Sequence, residues 1–487
     1  MPESTETEPR TGGTRGRRFL RLLGGVRAAY LPVLITYFCY GASGITTIAL
    51  LFFQKETLAI TPADAAAIGF WVALPWSTKM VAGVASDVYP IFGSRRKSYL
   101  LLGALASLVG YGLLATVVRS RGAYLAAMVL ITVGFMVQDV VADALSVEVA
   151  GSDEEIAQVQ ALGRMALLVG AISVGYLSGW LAGIIGPRGV FAAAMVLPLL
   201  VATGSLLVRP AALRAPAPPD GGPLGHGKAR LVLLVGLGYA ALGVVLEVLD
   251  TPFAQEIILV VSGGLIVMLL ARVGISRAVA VAAFAIFLFR SVPGVGQGYS
   301  YWAIDRLRFD QEFLGILAQV SSVLSLAGLI VFRKAITRRP VSFTLFWVTV
   351  LGSVLYLPTI GLFYGANEWI GVSPRTFAFI DTTIAAPLAQ LSMVPMLTLI
   401  AKTAPEGAEA TMFAIMASLM NLALSASELF TRYLNTAFAV TQHDYGNLGR
   451  LLIAVGLIGL VPLLALPLLR REETQSASTL ALRPAAD

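Results

Sequence analysis

Cysteine, histidine and charge are all scarce in this chain of 487 residues. The one cysteine, Cys39, has no partner for an intrachain disulfide. The two histidines, His226 and His443, stand apart in connecting segments, and no Cys, His and acid grouping has metal-ligand spacing. No nucleophile–base set is visible either, so neither an enzyme nor a bound cofactor is expected. Lys, Arg, Asp and Glu together make only 13% of the chain, against roughly 25% in soluble domains. No stretch is polar and long enough to fold as a sizeable soluble domain.

What fills the chain instead is apolar: 57% of its residues are hydrophobic. Runs of about 20 such residues recur along nearly its whole length, each long enough to cross a bilayer. The first begins near Tyr30. It is too long for the core of a signal peptide and reads as a retained helix. About fourteen spans are expected. The Pro- and Gly-rich stretch "PAALRAPAPPDGGPLGHGK" reads as a linker between them. Within it, Gly222–Ala229 matches the glycines and lysine of a phosphate loop. It lacks the following Ser or Thr and the preceding strand, so no nucleotide site is expected.

Placing both termini in the cytoplasm puts most basic residues on that side. The Arg-rich first residues, Arg95–Lys97, the linker, Arg333–Arg339 and the C-terminal tail then all face inward. The excess of positive charge, +7, thus reflects orientation in a cytoplasmic membrane and calls for no nucleic-acid partner.

The loops carry a repeat. "GVASDVYPIFGSRRKSY" and "GLIVFRKAITRRPVSF" each start with Gly at a helix end and close on a basic pair. Aligning Arg96 with Arg339 lays the first span over the one near 276–303 and brings Asp139 within one position of Asp381. The expected architecture is therefore an all-α polytopic membrane protein of the major facilitator fold. It has an N-terminal tail (1–29), a six-helix bundle (30–208), a linker (209–230), two extra transmembrane helices (231–272), a second six-helix bundle (273–471) and a tail (472–487).

Several motifs add detail. "GVASDVYPIFGSRRK" has the Gly-x-x-x-Asp and basic cluster of major facilitator loops. With its inserted "PIFG", with "PWSTK" before it, and with "DVVADALSVE" and "EGAEATMFA", the chain resembles the folate–biopterin transporter family from about residue 30 to 470. The resemblance implies a folate or pterin as the transported solute, carried by alternating access and coupled to protons. A drug, a sugar or another organic anion is the alternative within the same fold. A membrane receptor or assembly factor that does not transport is a second. A monomer is expected.

Ionisable side chains at membrane depth cost roughly 2.5–3.5 kcal/mol each on insertion scales, so those present should face a cavity or one another. Asp139 and Asp143 sit one turn apart on one helix face. Either can carry a proton, or be locked in an ion pair with Lys79 or Arg164. Lys79 and Arg164 are in turn candidates for a substrate carboxylate, and Arg164 for an interfacial anchor. Arg290 precedes Pro293, Gly294, Gly296 and Gly298, which should interrupt its helix. Gln297, Tyr299, Tyr301 and Trp302 follow as candidates for contact with a flat ring, or as the aromatics of a plain kink. Asp381 is a second candidate for a proton or substrate amine, or else a helix N-cap. Glu428 and Arg432 lie nearer a helix end. Asp87 with Arg95, Arg96 and Lys97 reads as a gating latch that pairs in one state and parts in another, or as a fixed salt bridge. Gly175, Gly179 and Gly183, four residues apart, mark a close-packing helix face.

Overall fold

In hydrocarbon every backbone N–H and C=O must be bonded within its own segment, so apolar runs of this length become helices. The computed structural model describes residues 27–208, 225–274, 276–337, 339–405 and 409–481, which leaves most of the expected linker and the far ends of both tails outside the described residues. Among the described residues no β-strand occurs. Eleven helical stretches of the described residues are long and apolar enough to cross a membrane. One of them, Glu154–Ser205, has 52 residues, about twice what a bilayer needs. It breaks at Gly186, whose φ of 67° is open to glycine but strained for other residues. Gly163 before the break packs on Tyr37 and Gly204 after it packs on Ile35, so the stretch doubles back and crosses twice. Two further passes are broken into pieces too short to span alone, Pro62–Ser77 with Lys79–Val88, and Arg277–Arg290 with Gln297–Leu307. The described residues thus make fourteen passes.

We number the passes α1 (Ala28–Thr57), α2 (the pair Pro62–Ser77 and Lys79–Val88), α3 (Lys97–Thr116), α4 (Arg121–Glu148), α5 and α6 (either side of Gly186), α7 (Gly225–Val248), α8 (Ala254–Val273), α9 (the pair Arg277–Arg290 and Gln297–Leu307), α10 (Gln311–Thr337), α11 (Val341–Phe363), α12 (Pro374–Thr403), α13 (Glu409–Ala437) and α14 (Leu448–Ala481). The first six and the last six form two halves. The hairpin α7–α8 lies against the second piece of α2 and against α13, one from each half.

Both broken passes have local causes. In α2, Pro75 has no N–H to give, and the helix restarts after Thr78. In α9, residues 291–296 leave the helix around Pro293 and Gly296, and their freed backbone groups are satisfied by one face of α13. Ser427 Oγ donates to the Val292 carbonyl at 2.6 Å, Gly294 N–H donates to Thr431 Oγ1 at 2.9 Å, and Asn435 Nδ2 donates to the Val295 carbonyl at 3.0 Å. Those three residues recur every four positions, one turn apart on one helix face. The break is therefore packed against α13, with its polar cost offset by hydrogen bonds.

The halves meet along two seams, α2 against α13 and α5 against α10. In the second seam a Cβ added at Gly179 would lie 2.1 Å from the Gln311 carbonyl oxygen and 2.7 Å from Gly315 Cα. Gly175 fits against Gln319, while Gly183 meets nothing within 4 Å. The close-packing face is thus spent inside the molecule at Gly175 and Gly179.

Candidate substrate cavity and gates

A charged and aromatic cluster gathers in the first half, from α1, α2, α4 and α5. Lys79 begins the second piece of α2, at the break. Its Nζ lies 3.5 Å from Asp139 Oδ2 on α4. The side chain of Asp139 is 9% exposed and that of Lys79 is 35% exposed, so the acid is buried and the ammonium sits partly open. Asp143, one turn further along α4, accepts a short hydrogen bond from the Tyr37 hydroxyl and has no ion pair among the described residues. Arg164 on α5 is exposed and lies over the Tyr37 ring, with Cζ 5.8 Å from its centroid. In the same cluster Tyr40 stacks on Trp76 at 5.4 Å and 25°, with Phe135 5.8 Å from Tyr40. The site thus combines one ion pair, one carboxylate held by a phenol, one free guanidinium and a flat aromatic wall.

The second half holds the other candidates, spread out. Arg290 ends the first piece of α9 beside a cavity of about 360 Å³. Gln297 opens the second piece, next to the break that α13 fills. Asp381 lies within α12, where Thr359 Oγ1 donates to it at 3.2 Å. Ser373 caps that helix instead, accepting from the Thr376 N–H at 3.1 Å, so Asp381 is not the N-cap. Tyr301 is fully buried, and Trp302 packs between Tyr299 and Phe363 in the core of its half. Neither offers a free face to a ligand ring.

The halves are sealed at the end where α1 finishes. Lys55, 4% exposed, reaches across to Asp305 on α9 at 2.7 Å and lies 5.5 Å from the Tyr301 ring centroid. Asp305 also accepts from the Tyr445 hydroxyl at 2.6 Å. Burial, and then the bond to this carboxylate, push the Tyr445 hydroxyl above its ordinary pKa. On α5 and α10 the Tyr176 hydroxyl donates to Glu312 at 2.8 Å, and Tyr176 N–H donates to Gln319 at 3.0 Å. At the opposite end, ion pairs among the described residues stay within one half. Arg27 pairs with Glu155, and Arg277 with Glu472. Arg96 is buried there and donates to Glu148 Oε1 at 2.8 Å, Ser86 Oγ at 2.9 Å and Asp87 Oδ1 at 2.7 Å. Burial works to lower its pKa; Glu148 and then Asp87 outweigh that and hold it above the ordinary value. Asp87 is thus paired inside its own loop, not across to the other half. Arg95 Nε is buried with no partner, and the Lys97 side chain forms no ion pair among the described residues.

The sequence of the BT1 family matches residues 41–480. The chain belongs to the BT1 family. It is 30% identical over 470 residues to a folate-biopterin transporter of Synechocystis sp., covering 94% of this chain and 86% of that protein. It is 21% identical to folate transporter 1 of Plasmodium falciparum, covering 88% and 77% of the two chains. The crystal structure of a POT family transporter in complex with a thioalcohol-conjugated peptide superposes with a TM-score of 0.69 at 16% identity, over 91% of this chain and 96% of that one. This BT1-family chain is accordingly a multi-pass membrane transporter of the major facilitator fold, in a family of named transporters rather than enzymes.

Several residues of this BT1-family site carry no local sign in the sequence. Lys55 and Asp305 are separated by more than half of the chain and lie beside loops. Tyr37 and Tyr40 look like ordinary aromatics of an apolar run. Glu428 lies nine residues before the end of α13, not close to it. Its carboxyl sits 2.8 Å from where a Cβ on Gly69 of α2 would be, on the seam between the halves.

Proposed function

We propose that this transporter moves a folate- or pterin-like solute by alternating access, coupled to protons, in the cytoplasmic membrane with both termini cytoplasmic. The observation that carries the reading is the Lys79–Asp139 pair beside the stacked Tyr40–Trp76 wall. A pterin is a flat ring with an amide-like edge of adjacent N–H donors, and folate adds carboxylates. The wall takes the ring by stacking. Asp139 or Asp143 accepts from the N–H edge, and Lys79 and the open Arg164 take a carboxylate.

The same pair supplies a coupling logic. While Lys79 holds Asp139, the buried acid stays ionised. A substrate carboxylate that draws Lys79 away leaves Asp139 without its cation, and protonation relieves the cost of an unpaired buried charge. Proton and anion then load together and leave together. With the termini in the cytoplasm, the Lys55–Asp305 seal is the outer gate and the structure faces inward. The loop of Asp87, Arg95, Arg96 and Lys97 is the corresponding inner element, gating by exchange of the Arg96 partners. The two bundles 30–208 and 273–471 are the rocking units, and the protein works as a monomer.

Binding is tested by titrating folate and biopterin onto purified protein and following tryptophan fluorescence. Both should quench it, and Trp76→Phe should remove most of the change. Lys79→Met should weaken folate at least tenfold and biopterin, which has no carboxylate, much less. Equal weakening of both would contradict the assignment of Lys79 to a carboxylate.

A further inference from the structure

The cavity beside Arg290 lies wholly in the second half, walled by α9, α11, α12 and α14. Its polar groups are unusual for this chain. Serine and threonine hydroxyls within these helices commonly close on a carbonyl three or four residues back. Ser107, Ser178, Thr398 and Ser418 all do so, at 2.6–3.1 Å. Three that line this cavity, Thr349, Ser353 and Ser392, have no such bond and no other side-chain partner among the described residues. The Tyr356 hydroxyl is buried and unpartnered, and so is Arg290 Nε. Arg290 has no ion pair among the described residues. Its one side-chain bond is to the Met393 sulfur at 3.2 Å, a weak acceptor.

A guanidinium at membrane depth with only a thioether for company lacks a negative charge. Around it stand four hydroxyls able to donate. Gly352 of α11 lines the same space, and a Cβ there would touch nothing within 4 Å, so room is left in front of Arg290. A planar fork with satellite hydroxyls is the donor set for an oxyanion.

We propose that this cavity binds a carboxylate, seated on Arg290 and the Tyr356 hydroxyl, at a site separate from the Lys79–Asp139 cluster. The carboxylate belongs either to a free small organic acid or to the tail of the transported solute. The second source alone rests on the function proposed above.

The test is thermal unfolding of purified protein titrated with benzoate at constant ionic strength, with chloride replaced. A ligand that binds only the folded state raises the midpoint progressively with concentration. Wild type and Lys79→Met should both respond. Arg290→Gln and Gly352→Leu should not, and Tyr356→Phe should require several-fold more benzoate. Gly352→Leu keeps the cation but fills the space, so it reports on the site even if Arg290→Gln folds poorly. No benzoate response in wild type, or an equal response in Gly352→Leu, would overturn the proposal. The same titration with folate separates the sources. If Gly352→Leu loses the response to folate as well as to benzoate, the solute tail occupies the site. If it loses only the response to benzoate, a free acid does. Failure of folate to bind wild type while benzoate binds would remove the transport reading and leave the site standing.

Discussion

Lys79 and Asp139 show how little freedom a buried pair leaves. Removing only the ammonium leaves an acid with 9% of its side chain exposed and no cation in contact. Breaking one side of such a pair costs on the order of 3 kcal/mol, whereas removing both charges costs little. Lys79→Met should therefore lower the unfolding midpoint clearly, and the double variant Lys79→Met/Asp139→Asn should recover most of the loss while still failing to transport. Arg96 poses the same problem with three partners. Arg96→Lys keeps the charge but cannot hold Glu148, Ser86 and Asp87 at once, since a lysine offers one nitrogen where the guanidinium offers a fork. It should destabilise nearly as much as Arg96→Gln in the same unfolding assay; full rescue by lysine would show that charge alone matters. At this scale the sequence was half legible. The spacing of Asp139 and Asp143 showed a shared face and the depth of Lys79 showed a need for an acid. Which acid it meets depends on how α2 and α4 are rotated against each other, and that is set by packing along their whole length. Asp143 went to Tyr37, a residue with nothing in its neighbourhood to announce it.

Individual passes are where sequence and structure agree most closely, because a helix break needs a local cause. Pro293 and Gly296 marked the break in α9 beforehand. The face Ser427, Thr431 and Asn435 that repairs it was also present as a four-residue rhythm in α13. Only the fold joins the two. Pro75 broke α2 in the same way, and Gly186 ended α5. The seams are less legible, since a glycine shows that something comes close without showing what. A side chain at Gly179 would enter the backbone of α10. Gly179→Leu should pry open the sealed end, and spin labels placed on the loops after α1 and α9 should report longer distances than in the parent. Lys55→Met should do the same more weakly, since the Asp305 carboxylate then keeps only Tyr445 and His443 nearby. Unchanged distances in both would contradict the assignment of this end as the closed one. The start of α10 adds a pH dependence. Burial tends to raise the Asp310 pKa, but the Phe313 N–H and Arg375 outweigh it and hold it below the ordinary value. A depressed acid adds stability above its unfolded pKa and loses it as pH falls through the folded one. Part of the stability lost in acid should thus come from this contact, and Asp310→Asn should flatten the acid end of the midpoint–pH curve, modestly because both side chains are about half exposed.

For the whole molecule, the fourteen passes were visible as apolar runs and the two halves as a repeated loop with its basic pair. Hydrocarbon forces helices, and the charge of the loops orders them. What composition and spacing did not reveal is which faces of the two halves touch, and so which end is shut. The Lys55–Asp305 seal and the Lys79–Asp139 cluster of the first half support the proposed account, a machine that holds an anion and a proton together and exposes them to one side at a time. That account is tested most directly by uptake of radiolabelled folate into proteoliposomes, with and without an inward proton gradient, for the parent protein and for Asp139→Asn. It predicts gradient-driven accumulation in the parent and loss of that accumulation in the variant. Accumulation in Asp139→Asn equal to the parent, with the same dependence on the gradient, would contradict it.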